Sequence, residues 1–215
     1  MKNFLKRDWL LLILLAAPFL VVPFVWNHVP SQMAVHFGLR GNVNRYGSRF
    51  EGLLLIPLLN VGIYALLTWL PGIDPKKKIS AGQKPVLGIR FFIVVFMLFI
   101  YTLMLLFNMG IKVEMSRIVT LGVISLFIVL GNYMNSLKAN YFIGIRTPWT
   151  LEDPDVWRKT HRMAGKLWVS LPIILIPILF ISSVTVFNYF FYSVIALLVF
   201  IPVVYSYVAF QKKNG

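Results

Sequence analysis

Thr160 and His161 follow six or fewer residues after Asp155, with Glu152 and Asp153 just upstream. A histidine beside carboxylates is raw material for general acid–base chemistry. Proximity is all this cluster offers, because no nucleophile, base and orienting group can be assigned from it. His28, His36 and Glu51 make a second group with metal-ligand chemistry, but a lone histidine pair eight residues apart lacks the spacing of a metal site. HExxH, GxSxG and phosphate-binding glycine loops are all absent from the sequence. With no cysteine, disulfides, thiolate metal sites and thiol nucleophiles are excluded. The chain is therefore expected not to be an enzyme and to hold no cofactor or metal.

The elements that carry the first cluster are more informative than its chemistry. It lies in ANYFIGIRTPWTLEDPDVWRKTHRMAGK, residues 139–166, a polar and aromatic insert between two apolar stretches. Asp153-Pro154 is a strong helix start, with Asp153 as N-cap and Pro154 at the first helical position. Asp155 then complements the helix dipole. At 3.6 residues per turn Trp157, His161, Ala164 or Gly165, and Trp168 share one face, and Arg158, Arg162 and Lys166 share another. The spacing predicts an amphipathic helix along the membrane surface before the fifth span, tryptophans at head-group depth and the cationic row toward phosphates. Upstream, Gly144 permits a turn that other residues resist, and Pro148 pushes Thr147 toward extended backbone. Arg146, between apolar neighbours, is expected to pair with Glu152 or Asp153.

Five stretches contain no Lys, Arg, Asp or Glu: 9–26, 52–73, 91–111, 118–137 and 167–211. The last is long enough for two crossings, at roughly 20 residues per 30 Å of hydrocarbon. The alternating polarity of a membrane barrel is absent. The fold class is an all-α integral membrane protein with six transmembrane helices. The apolar run at the N-terminus exceeds a signal-peptide core and no small-residue cleavage site closes it, so it is expected to remain as the first helix. Six spans put both termini on one side, and that side collects 16 of the 21 Lys and Arg residues. The positive-inside rule makes it cytoplasmic. The net charge of +14 is then a topology signal with some attraction to anionic lipid, and no direct nucleic-acid partner is expected.

Residues 1–75 form a two-helix part with an external loop at 28–50, and residues 76–215 a four-helix part. Six prolines fall within spans: Pro18, Pro23, Pro57, Pro172, Pro177 and Pro202. In a bilayer they bend helices for packing or line a cavity. No ionisable residue is placed at mid-membrane, which argues against an ion-coupled carrier.

Residues 131–169, GNYMNSLKANYFIGIRTPWTLEDPDVWRKTHRMAGKLWV, closely resemble the signature of the SdpI family of bacterial membrane immunity proteins. The segment PSQMAVHFGLRGNVNRYGSR, residues 30–49, resembles the small N-terminal domain of unknown function that commonly accompanies it, through Pro30, His36, Gly38, Gly41, Asn44, Tyr46, Gly47 and Ser48. The resemblance implies a multi-pass protein of the bacterial cytoplasmic membrane that protects its host against a secreted peptide toxin. It also implies a receptor that holds a cytoplasmic DNA-binding autorepressor at the membrane. The expected partner-binding residues of the cytoplasmic loop are Asn140, Gly144, Arg146, Thr147, Pro148, Trp149 and Thr150, continuing with Asp153, Trp157, Arg158, Lys159, His161 and Arg162. Those of the external loop are Pro30, His36, Gly41, Arg45, Tyr46, Gly47 and Arg49, with Arg40 beside them. A small-molecule or peptide transporter, or a membrane enzyme acting on lipid or cell-wall precursors, is the alternative.

Overall fold

The computed structural model describes the backbone of residues 2–75 and 83–214, and side chains from residue 7 to 213 within those ranges. Lys76, Lys77 and Lys78, counted above toward the topology, lie outside the described residues, as do the side chains of Lys2 and Lys6. The elements are α1 (Lys2–Val25), β1 (Gln32–Phe37), β2 (Val43–Ser48), α2 (Arg49–Trp69), a 3₁₀ turn (Leu70–Ile73), α3 (Lys84–Asn108), α4 (Met115–Met134), α5 (Pro148–Glu152), α6 (Pro154–Ile181) and α7 (Val184–Asn214). Among the described residues six helices are long and apolar enough to cross a membrane: Arg7–Val25, Arg49–Ile73, Lys84–Asn108, Met115–Met134, Pro154–Ile181 and Val184–Lys213. In hydrocarbon the backbone must satisfy its own hydrogen bonds, and a continuous helix does so within one segment. The protein is a multi-pass membrane protein. All six prolines lie inside helices, as the sequence requires.

By packing, the chain divides into one unit of residues 1–66 and 90–122 and a second of residues 67–89 and 123–215. This grouping by contact is separate from the division at residue 75.

In the first unit, the segment expected as an external loop contains a two-stranded antiparallel hairpin, β1 against β2. Gln32 pairs with Ser48, Met33 with Gly47 and Ala34 with Tyr46, and irregularities follow on either side of His36. Gly41 (φ 80°) sits in the tip, where a left-handed residue is needed. Ser48 ends the hairpin and starts α2, its Oγ accepting the Glu51 N–H at 3.2 Å, as an N-cap does. The Asn108 side chain treats β1 as a strand partner: its Oδ1 accepts the Ala34 N–H at 2.7 Å and its Nδ2 donates to the Ala34 carbonyl at 3.0 Å. Beneath, Val29, Met33, Leu53, Tyr101, Met104 and Leu105 make a buried cluster. A second cluster joins Leu11, Leu15, Tyr64 and Val94.

In the second unit, α5, α6 and α7 pack together. Trp168 packs edge-on against Phe127, centroids 5.1 Å apart, and its indole N–H donates to the Leu198 carbonyl at 3.1 Å. The amphipathic stretch and the fifth span are one helix of 28 residues.

Candidate functional site

The site is built on the chain between α4 and α6, where a loop of little regular structure must satisfy its own polar groups. Asn140, fully buried, does most of this. Its Oδ1 accepts the N–H groups of Phe142 (2.8 Å) and Ile143 (2.7 Å), and its Nδ2 donates to the carbonyls of Lys138 (2.8 Å) and Ile143 (2.9 Å). One side-chain amide thus closes a tight turn, using its full two-donor, two-acceptor capacity. The next residues pass over His161. Gly144 adopts φ 117°, and a Cβ there would collide with His161 Nε2 and lie 3.1 Å from the Trp157 ring. Only glycine fits, on both counts.

His161 is locked by backbone on both sides. Nε2 accepts the Ile145 N–H at 2.9 Å, so Nδ1 carries the proton and donates to the Trp157 carbonyl at 2.9 Å. The imidazole stacks on Trp157, centroids 3.9 Å apart, and the Trp157 indole N–H donates to the Leu137 carbonyl at 2.7 Å. No ring nitrogen is left for acid–base work, so the Thr160–His161–Asp155 group forms no catalytic arrangement. Among the described residues no three His, Cys, Asp or Glu side chains are grouped to hold a metal.

Two helix starts follow directly. Thr147 is extended (φ −91°, ψ 161°), caps α5 and shares a reciprocal capping arrangement with Thr150. Its hydroxyl also meets the Ser206 hydroxyl of α7 at 2.9 Å, and Trp149 rests against Tyr207, centroids 5.1 Å apart. Asp153 caps α6 as the sequence predicts, accepting the N–H groups of Asp155 and Val156 at 2.7 and 3.2 Å. Its other oxygen takes the Lys213 ammonium at 2.6 Å, and that hydrogen bond is the main reason its carboxyl is held below the usual carboxylate range. Asp155 pairs with Arg158 at 2.6 Å and Lys159 at 3.6 Å.

Two expectations are corrected. Arg146 does not pair with Glu152 or Asp153. Its guanidinium donates to the Tyr141 carbonyl at 2.7 Å and is exposed, so there was no desolvation for a carboxylate to offset. Trp157 does not face lipid: it is 2% exposed, packed within the protein fold. Periodicity identified the right face of α6, and protein rather than lipid covers it. The expected partner-binding set therefore splits. Asn140, Thr147, Thr150, Trp157 and His161 are buried and shape the loop, while Arg146, Pro148, Arg158, Lys159 and Arg162 are exposed.

The hairpin presents a second polar surface. Pro30, His36, Arg40, Arg45 and Tyr46 are exposed. Arg45 pairs with Glu51 at 2.6 Å, Arg49 lies over the Trp26 ring at 5.8 Å and donates to the Pro30 carbonyl at 3.3 Å. Gly47 is buried and packed against the Glu51 carboxylate, and Gly41 is half-buried.

Sequence reasoning missed one feature of the first unit. Asp8 and Arg90, 1% and 0% exposed, form an ion pair at 2.7 Å, and both fall within candidate spans. The Tyr64 hydroxyl donates to the same carboxylate oxygen at 2.9 Å, and Arg7 pairs with the other at 2.9 Å. Asp8 and Arg90 stand 82 positions apart, so no local signal joins them. The one clue was that charges at the edges of apolar runs are rarely left unpaired.

Residues 136–206, which contain nearly all of the loop and the whole of α6, match the SdpI/YfhL protein family. Residues 13–61, which contain the hairpin, match a domain of unknown function, DUF1648. Over 213 residues the chain is 28% identical to the Immunity protein SdpI of Bacillus subtilis (strain 168), spanning 98% of this chain and 99% of that protein. No solved structure matches the chain.

Proposed function

We propose that this chain, whose residues 136–206 match the SdpI/YfhL family, is a membrane immunity protein that protects a bacterium against a secreted, membrane-active peptide toxin. The observation that carries the reading is the likeness to a protein named for immunity over nearly the full length of both chains. The charge distribution supports a cytoplasmic location for both termini and for the loop of 131–169, with the hairpin outside. The toxin meets the hairpin at Arg40, Arg45, Tyr46 and His36, where cations and an aromatic ring stand exposed. Inside, the first turns of α6 lie at the membrane interface, and Arg158 and Lys159 face a cytoplasmic DNA-binding repressor. Toxin binding releases or recruits that repressor only through a difference in its affinity for two arrangements of the helices. The reading includes no catalytic step, supported by the engagement of both His161 nitrogens.

The test is expression in a toxin-sensitive bacterium challenged with the peptide toxins of the source organism. Wild type restores growth, and Arg40→Ala/Tyr46→Ala loses protection at unchanged membrane abundance. No protection by abundant wild-type protein against any of those peptides refutes the reading. Orientation is checked separately, because the chain has no cysteine. An impermeant maleimide applied to intact cells labels Tyr46→Cys and leaves Arg158→Cys unlabelled; the opposite pattern inverts the topology.

A further inference from the structure

A cleft of about 470 Å³ opens in the second unit, between the end of α4 and the first half of α6. Its floor is a glycine contact. A Cβ on Gly165 would lie 2.9 Å from the Gly131 carbonyl oxygen, and one on Gly131 would lie 2.8 Å from Trp168 Cβ. Small residues let two membrane helices approach this closely, and here they leave a trough between the side chains above. Arg162 and Lys166, one turn apart on α6 and exposed, form one rim, and the exposed amides of Asn132 and Asn135 form the other. Among the described residues neither cation has a carboxylate partner, whereas Arg158 and Lys159 on the same helix are both held by Asp155.

The depth of the cleft identifies its surroundings. A hydrocarbon core of about 30 Å takes roughly 20 helical residues, and counting back from Ile181, where α6 ends, reaches Arg162. α4 is itself 20 residues long and ends at Met134. Arg162 thus stands at the edge of the hydrocarbon with Lys166 about 6 Å further in, and both long side chains reach back to the level of the lipid phosphates, where the end of α4 brings the two amides. Below the rim the lining is Gly131, Gly165, Val169 and Ser170, and the surface it offers is mainly apolar.

We propose that this cleft is a binding site for the headgroup phosphate of an anionic phospholipid. The Arg162 guanidinium offers a planar fork to two phosphate oxygens. Lys166 adds a second charge, and the Asn132 and Asn135 amides donate to the remaining phosphate or glycerol oxygens. The acyl chains cover the apolar wall, which a free phosphate would leave bare; this is why the occupant is a lipid and not a dissolved anion. The site is independent of the immunity reading, since it requires only that the helices span a bilayer.

Lipid titration of the purified full chain in detergent, read by native mass spectrometry, tests it. Phosphatidylglycerol binds in preference to phosphatidylcholine. Arg162→Gln/Lys166→Gln weakens phosphatidylglycerol binding roughly 30-fold, the effect of losing two basic residues near an anionic surface. Arg158→Gln/Lys159→Gln, which removes the same charge outside the cleft, leaves it within about twofold. Asn135→Trp, which fills the cleft without changing charge, also weakens it. Equal loss in both double-charge variants, or equal binding of the two lipids, overturns the site in favour of a diffuse basic surface. Displacement of bound lipid by inorganic phosphate at matching concentration assigns the cleft to a free anion and overturns the lipid assignment.

Discussion

Replacing Asp8 by Asn removes the carboxylate that the Arg90 guanidinium, 0% exposed, meets at 2.7 Å. The charge cannot be rehydrated without opening the contacts among α1, α2 and α3 that bury it. Breaking one partner of a buried pair costs about 3–5 kcal/mol. The upper half of that range applies, because the same Asp8 oxygen also accepts the Tyr64 hydroxyl at 2.9 Å and a hydrogen bond to a charged acceptor is worth about 1.5–3 kcal/mol. Arg90→Met leaves the Asp8 carboxylate with Arg7 and the Tyr64 hydroxyl, so it costs less, at the low end of that range, about 3 kcal/mol. The double variant Asp8→Asn/Arg90→Met removes both charges of the pair, so it should lie within about 2 kcal/mol of wild type, because exchanging a buried pair for neutral groups is often close to neutral. The assay is unfolding of the purified chain in mixed micelles at increasing denaturing-detergent fraction, run as a double-mutant cycle. A coupling of several kcal/mol is expected. Single variants costing under about 1 kcal/mol, or a double variant equal to the sum of the singles, refute the argument that this pair holds the three helices together.

Gly144→Ala forces a Cβ into φ 117° and against His161 and the Trp157 ring. Backbone strain of about 1–3 kcal/mol and overpacking of similar size predict a lower unfolding midpoint and faster proteolysis within residues 139–147, and unchanged values for both contradict it. Asp153, held below the usual carboxylate range chiefly by Lys213, stays ionised in the folded chain at pH values where it would be protonated in the unfolded one. The contact's contribution is therefore complete above the ordinary carboxylate pKa of about 3.9 and lost as pH falls through the lower folded value. Lys213→Met should be less stable than wild type at neutral pH, with the difference closing below about pH 4; a gap that persists in acid excludes this cause.

The parts of the site legible in the residues are those whose cause is local. The Asp153-Pro154 start, the extended Thr147 before Pro148 and the two faces of α6 follow from backbone chemistry and the 3.6-residue period. Gly144 is legible as a turn, but the obstacle above it is not, since His161 reaches it from the next helix. The hairpin reads as a loop in the sequence because VNRYGS carries little alternation to mark a half-buried strand. Its partner in the fold, Asn108, lies 74 positions away.

Composition and charge alone determined six stretches long and apolar enough to cross a membrane among the described residues, because burial in hydrocarbon penalises every charged residue and the apolar runs record that penalty directly. They also set which face of α6 is apolar. Tertiary structure decided what covers that face: Trp157 packs into the protein, not lipid. It likewise brought Asp8 to Arg90 and opened the cleft between Gly131 and Gly165. Periodicity is a property of one helix, whereas a partner 82 residues away or a glycine contact between two helices exists only once the chain has packed.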